Sequence, residues 1–274
     1  MKNKRIEKVL EYFTSSAMFL FIFLTAIIVL TSIIFICGGR VFKPLLIIIY
    51  VLTVIGYLFV KKKDLKKEII SIIIGTLVFI FTTAVSGYIY DNTADGNTYH
   101  KLAVGAMKNG WNPVYTDVAK FNKDKGNPFD ILDDNVNVKW VNTYAKGSEI
   151  YGAVVYSLTN NIDTGKSFNM LFVFIGLFIL YEILRKLKLS TWKALLLSTI
   201  MALNPISLTQ LTNYYLDGVL SICLFIIIMM VLAIIYLCVM FADKKVQDAK
   251  EIDSLKTELK NSQETNKKLQ DTLG

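Results

Sequence analysis

Six uncharged apolar segments constrain the fold of this chain more than any other feature of its 274 residues. Hydrophobic residues make up 54% of the chain and are grouped in these segments, which is typical of a membrane protein rather than a water-soluble core. A helix needs about 20 apolar residues to cross about 30 Å of hydrocarbon. Five segments are long enough, and the fourth becomes so if it continues through Ile183 and Leu184. The segments are 17–37, 44–60, 69–90, 167–181, 194–216 and 218–242.

Clusters of Lys and Arg predict how these segments are oriented. The clusters lie in residues 2–8, 61–67 and 185–193, and they fall on one side of the membrane if all six segments cross it. The positive-inside bias makes that side the cytoplasm. We therefore predict an all-α, polytopic membrane protein with six transmembrane helices and both termini in the cytoplasm. Only three of the 30 basic residues are Arg, a bias typical of an A/T-rich genome, which favours a bacterial cytoplasmic membrane.

The basic character of the chain reflects this topology. The net charge is +8, but residues 91–166 carry eight Lys against nine acidic residues, so the longest polar segment is slightly acidic. A nucleic-acid surface would need a clustered basic face with aromatic residues for stacking. The expected partners are therefore membrane lipids and not nucleic acid.

These patterns divide the chain into four parts. Residues 91–166 form a loop far longer than a usual connection, so we expect a functional, partly folded element outside the cell. Within it, apolar residues at helical spacing predict an amphipathic interfacial helix over 96–109, ended by Gly110 and Pro113, and a second short helix over 149–158. The stretch 115–140 is polar and rich in turn signals. The parts are three spans (1–90), the extracytoplasmic loop (91–166), three further spans (167–242) and a cytoplasmic, charged helical tail (243–274).

Two features of the last third of the chain bear on its packing. Pro205 lacks a backbone donor, so the fifth apolar helix should kink or end near Asn204. In the tail, Ile252, Leu255 and Leu259 recur at three-and-four spacing, but the pattern lapses at later positions. The tail is therefore either a solvated helix or a self-associating coiled coil.

The loop begins with the strongest candidates for chemistry. Asp91 and Asp95 stand beside hydrocarbon, where two carboxylates can provide a general base or hold a divalent cation. Asp95 also stands where a helix should begin, so an N-cap is the alternative for it. His100, the only histidine, could assist proton transfer. Lys146, followed by Gly147, could hold a phosphate, with a solvated loop lysine as the alternative.

Three stretches resemble bacterial polytopic membrane glycosyltransferases of the GT-C class. They are "YDNTADGNTYHKLAVGAMKNGWNPVY", "WVNTYAKGSEIYGAVVYSLTNNIDTGKSFN" and "LNPISLTQLTNYYLDG". The resemblance extends over residues 69–240 and corresponds to the N-terminal part of such enzymes, which use polyprenyl-phosphate sugars at the extracytoplasmic face. It implies that Asp95 or Asp91 deprotonates an acceptor of the cell envelope, with inversion at the sugar and polyprenyl phosphate as the leaving group.

The resemblance also implies roles for other residues. His100 joins the acids as a catalytic candidate, and Lys146 or a divalent cation would stabilise the departing phosphate. The expected substrate-facing residues are Tyr99, Trp111, Asn112, Tyr214 and Asp217, the last of which is alternatively a helix cap.

Two features depart from the family pattern. Ala145 stands where family members often have Pro, and a charge-balanced tail from Asp243 stands where further spans normally follow. The chain is therefore expected to be either a sugar transferase, in full or in truncated and inactive form, or a non-catalytic membrane scaffold or regulator that associates through its tail.

Overall fold

A computed structural model describes residues 2–126 and 136–273, with side chains described for 5–62, 64–126 and 138–263. Every regular element in these ranges is helical, as the apolar periodicity predicted. The α-helices are α1 (Lys2–Ile36), α2 (Leu45–Val60), α3 (Leu65–Tyr88), α4 (Lys101–Lys108), α5 (Val118–Asp124), α6 (Val136–Thr143), α7 (Gly147–Thr159), α8 (Ser167–Lys186), α9 (Thr191–Ala202), α10 (Pro205–Thr209) and α11 (Asp217–Leu273).

Several helices are long and apolar enough to cross a membrane. Among the described residues, four qualify by length and composition: Arg5–Ile36, Leu65–Tyr88, Ile162–Lys186 and Asp217–Gln263. The apolar helices α2 and α9 have 16 and 12 residues, below the usual spanning length. Many large apolar side chains on α1, α2, α3 and α11 are exposed, far more than a soluble monomer presents. Among the described residues the chain is therefore all-helical, with several long apolar helices that could span a membrane, while the count of six spans is not confirmed.

Helix boundaries follow local sequence signals closely. The fourth apolar segment forms α8 and runs through Ile183 and Leu184, as required for it to span. The fifth breaks where Pro205 predicted, because α9 ends at Ala202 and Pro205 starts α10. Asn204 caps that new helix, accepting from the backbone N–H groups of Ile206 and Ser207 at 3.1 Å.

The chain divides into two compact units, residues 1–227 and 228–274. In the first unit, α1 packs against α2, α3, α7 and α8. Small residues bring α1 close to α3: Gly75 lies against Phe19 and Leu20, and the Ser16 hydroxyl donates to the Ser71 carbonyl at 2.8 Å. The second unit contains the C-terminal portion of α11, in which Ile252, Leu255 and Leu259 are exposed.

The loop predicted over 91–166 folds as part of the first unit. A π-helical turn (Gly96–His100) leads into α4, and a 3-10 turn (Ile162–Lys166) leads into α8. The two predicted short helices are present as this turn with α4, and as α7. The stretch 115–140 also contains α5 and the start of α6, which the turn signals did not predict, and residues 127–135 of that stretch lie outside the described residues.

The first helix of the loop is not interfacial in the expected sense. Instead of one face, nearly the whole of α4 is buried, including Ala103, Val104, Ala106 and Met107, and it packs against α7. The expected lipid contact is replaced by protein, because α7 covers the apolar face. The apolar face expected to contact lipid is therefore used in protein packing, whereas the position of this helix at the membrane surface stays a prediction.

We expect Gly165→Ala to destabilise the protein by about 1–3 kcal/mol through overpacking. A Cβ at Gly165 would lie 2.8 Å from the Cα atom of Gly152 in α7 and 2.5 Å from the Tyr214 hydroxyl. The measurement is thermal unfolding of the purified protein in detergent. Gly56→Ala is the matched control, since a Cβ there meets nothing within 4 Å and α2 should tolerate it. Equal unfolding temperatures for both variants would contradict the prediction.

Candidate functional site

Asp91 is a buried structural acceptor at the end of α3. One carboxylate oxygen accepts from the backbone N–H and hydroxyl of Thr93 at 2.9 and 2.6 Å, and the other accepts from the Tyr214 N–H at 3.0 Å. The side chain is fully buried, and a Cβ on Gly96 would lie 2.2 Å from its Oδ2. Both oxygens are therefore occupied by donors. Full burial and three internal donors make Asp91 a structural acceptor, and this geometry does not support its prediction as a base or metal ligand.

Asp95 is placed differently, four residues along the chain. It is half-buried and stands at the start of the π-helical turn, but its side chain makes no capping hydrogen bond. The Thr93 hydroxyl instead accepts from the Gly96 N–H at 3.2 Å. Burial, followed by the nearby Asp95 carboxylate, raises the pKa of Tyr99. The N-cap alternative for Asp95 is therefore not supported, and this carboxylate retains solvent contact.

An aromatic cluster of Tyr99, Trp140 and Tyr144 lies next to Asp95. The Tyr99 ring meets Trp140 and Tyr144 edge-on, with centroids 5.3 and 5.6 Å apart, and the latter two rings stack at 6.3 Å. Tyr99 is buried, whereas Tyr144 is 47% exposed, so the cluster opens to solvent on the Tyr144 side. Trp140 and Tyr144 were not predicted as site residues, because only the folded chain brings them onto Tyr99.

Lys146 follows this cluster closely in the chain, two residues after Tyr144. Its ammonium donates to the Tyr144 carbonyl, and the residue immediately precedes α7. Burial lowers the pKa of Lys146, and attraction to Glu149 opposes that effect. Asp95 and Lys146 are therefore each next to one member of the aromatic cluster, Asp95 to Tyr99 and Lys146 to Tyr144.

His100 forms a buried pair with Glu149. Its Nδ1 lies 2.8 Å from Glu149 Oε1, and the Ser148 hydroxyl donates to Glu149 Oε2 at 3.0 Å. Tyr99 and Tyr214 lie against the imidazole, with centroids 4.4 and 6.3 Å away. Glu149 was not predicted as a site residue. An acid in the first turn of a helix is ordinarily explained by the helix dipole, so the sequence held no signal for this contact.

A second group of charges was also missed. Asp163 lies 3.1 Å from the Lys101 ammonium and 3.0 Å from that of Lys166. Lys166 is almost fully buried and also donates to the Ile89 carbonyl, so it ties the end of α3 to the 3-10 turn. The Lys101 ammonium lies 4.2 Å from the centre of the Tyr90 ring. These are stabilising contacts, and they surround the Asp91 junction with compensating charge.

Trp111 and Asn112 anchor the loop rather than face a substrate. The Trp111 indole is fully buried and donates to the Thr116 carbonyl at 2.7 Å. Asn112 donates at 2.9 Å to the carbonyl of Phe35, in the last turn of α1, and to that of Gly39, just beyond the helix. Each polar group is used inside the protein. Their prediction as substrate-facing residues is therefore corrected to a packing role.

Tyr214 and Asp217 belong to the connection between α10 and α11. Tyr214 is buried, its hydroxyl donates to the Ile162 carbonyl, and burial raises its pKa well above the usual value. It contacts His100 but presents no free hydroxyl to a sugar. Asp217 is exposed and accepts from Gln210 at 2.9 Å, while Gln210 accepts from the Gly218 N–H at 2.7 Å. Both predicted binding residues therefore stabilise this connection.

Metal binding has little support in this arrangement. Among the side chains described, no group of three His, Cys, Asp or Glu converges so as to hold an ion. Comparison with protein-family models, with curated proteins and with solved structures finds no significant match.

The contrast between the two acids gives a stability prediction. Asp91→Asn should destabilise the protein by about 1–3 kcal/mol, because an amide cannot accept on both sides and its NH2 group would face a buried N–H donor. Asp95→Asn should change stability far less, since its carboxylate is half-exposed and lies near one hydroxyl. Thermal unfolding of both variants in detergent tests this. A larger loss of thermal stability in Asp95→Asn than in Asp91→Asn would contradict the assignment of Asp91 as the structural acceptor.

Proposed function

We propose that this protein is a GT-C-like membrane glycosyltransferase that moves a sugar from a polyprenyl-phosphate donor to an acceptor at the extracytoplasmic face. The single observation that carries the proposal is the Asp95 array, defined as Asp95, the aromatic cluster and Lys146, in which Asp95 neighbours Tyr99 and the Lys146 ammonium donates to the Tyr144 carbonyl. Support also comes from the three stretches that resemble such enzymes and from the long apolar helices. A lipid-borne substrate would reach this array directly from the bilayer.

The proposed topology has six membrane segments with both termini in the cytoplasm of a bacterial cell. The helices α2 and α9 would be about 24 and 18 Å long at 1.5 Å per residue. Each would need adjacent residues or local thinning of the bilayer to cross it. The segment between α3 and α8 would then lie outside the cell with the Asp95 array.

Each group of the array has a defined role in the proposed reaction. Asp95 takes the proton from an acceptor hydroxyl, whose oxygen forms a bond to the anomeric carbon as the bond from that carbon to the phosphate oxygen breaks. Polyprenyl phosphate leaves with the bonding electrons, and Lys146 stabilises the negative charge. The exposed face of Tyr144 offers a surface for a sugar ring. Asp91 serves by holding the connection around Tyr214 in place.

We expect Asp95→Asn to reduce sugar transfer about 10²–10⁴-fold, the usual contribution of a general base, while leaving the fold intact. The measurement is release of polyprenyl phosphate by the purified protein in proteoliposomes, supplied with a panel of polyprenyl-phosphate hexoses and pentoses. Asp124→Asn is the matched control, an exposed acid at the end of α5. Equal activity of both variants would remove Asp95 from the mechanism.

The same preparations test the alternative, a non-catalytic scaffold associating through its tail. The exposed Ile252, Leu255 and Leu259 side chains of α11 favour that alternative. It predicts no transfer with any donor in the panel, and an oligomer that dissociates when residues 243–274 are removed. Transfer that depends on Asp95 and persists without the tail would contradict it.

Orientation is tested by labelling in intact cells. With the three native cysteines replaced, Asp124→Cys should react with a membrane-impermeant maleimide, and Lys62→Cys should react only after the cells are broken. Residue 124 lies in the proposed external loop, and residue 62 lies in the basic turn between α2 and α3. The reversed pattern would place the Asp95 array in the cytoplasm and exclude the proposed donor.

A further inference from the structure

The pair formed by His100 and Glu149 determines where the ring proton lies. An ionised carboxylate only accepts hydrogen bonds, and Glu149 Oε1 is 2.8 Å from Nδ1. The Ser148 hydroxyl donates to the other Glu149 oxygen, which holds the carboxylate in position. A neutral imidazole beside this acceptor must therefore carry its proton on Nδ1. Its Nε2 atom is then left with a free lone pair.

The second ring nitrogen is available to a ligand. No hydrogen bond from the described residues reaches Nε2, and this atom is not among the fully enclosed polar atoms that lack a partner. The residue as a whole retains 6% exposure. The Nε2 lone pair therefore has no partner among the described residues.

The surroundings hold the ring in one orientation. Tyr99 and Tyr214 lie against it, the second nearly parallel at 14°. Tyr214 is itself held by its N–H bond to Asp91. The Glu149 carboxylate, bonded to the ring on one oxygen and to the Ser148 hydroxyl on the other, holds the edge of the ring that carries Nδ1.

We propose that Glu149 is a positioning residue that keeps His100 in its Nδ1–H form, so that Nε2 accepts a hydrogen bond from a hydroxyl group of the bound sugar or acceptor. The assignment of the hydroxyl to a substrate rests on the proposed function, whereas the state of the ring does not. The site would select ligands that present a hydroxyl donor at this point. An imidazole protonated on Nε2 could not accept that bond.

Because His100 is the only histidine, its ring nitrogens can be observed without assignment. The experiment is ¹⁵N NMR of the full chain labelled with ¹⁵N-histidine, in detergent and at a pH where the ring is neutral. We expect a protonated-type signal from Nδ1 and an unprotonated-type signal from Nε2. In Glu149→Gln, whose amide can donate as well as accept, the signals should shift toward the Nε2–H form. Glu182→Gln, an exposed acid on α8, is the matched control and should leave them unchanged.

The spectrum of the wild-type protein is a sufficient test, even if Glu149→Gln fails to fold. A wild-type ring protonated on Nε2 would overturn the proposal. An unchanged spectrum in a folded Glu149→Gln protein would also do so, since Glu149 would then not determine the tautomer. Adding a polyprenyl-phosphate hexose should shift the Nε2 signal of the wild type and not that of Nδ1. Absence of that shift, with transfer activity present, would remove the substrate contact while leaving the proposed function standing. Absence of transfer with the Nδ1–H ring observed would reject the function and keep the tautomer.

Discussion

The buried carboxylate of Asp91 is the interaction on which the site depends. It joins the end of α3 to Tyr214, 123 residues further along the chain. An ionised group away from water is costly unless donors surround it, and here three donors do so. Asn169 in α8 holds the same connection from its other side, donating to the carbonyls of Gln210, Asn213 and Tyr215. The position of Tyr214 beside His100 follows from these two anchors.

From this junction, a series of side-chain contacts leads from Tyr214 through His100 and Tyr99 to Asp95. Tyr214 and Tyr99 both lie against the imidazole. Tyr99 also neighbours the half-buried Asp95, so the same side chain lies near the imidazole and this acid. Such an arrangement is preorganised, because the polar groups adopt their orientation without a ligand. It is built on short helices and turns that are packed against α1, α3 and α8.

Local features of the fold could be predicted from the sequence, since they depend on neighbouring residues. The break at Asn204–Pro205 followed from the missing N–H of proline, and α7 followed from apolar spacing. Tertiary contacts could not be predicted in this way. Glu149 looked like an ordinary acid in a first helical turn, and nothing in the chain order indicated that it meets His100. Trp111 was misassigned because an aromatic residue beside a turn can face a ligand or the core equally well, and only packing decides between them.

The two acids at the start of the loop show most clearly that residue type alone does not determine the role of a side chain. Asp91 and Asp95 are four residues apart, follow the same apolar helix and were equal candidates for one role. The donors around each carboxylate separate them. Asp91 is fully buried and accepts from two backbone N–H groups and a hydroxyl. Asp95 is half-buried and lies near the Tyr99 phenol. A general base must keep a lone pair free for the proton that it will receive. Asp95 has fewer partners and is therefore the acid suited to this chemistry, whereas Asp91 has more partners and holds in place the connection beside which the site is built.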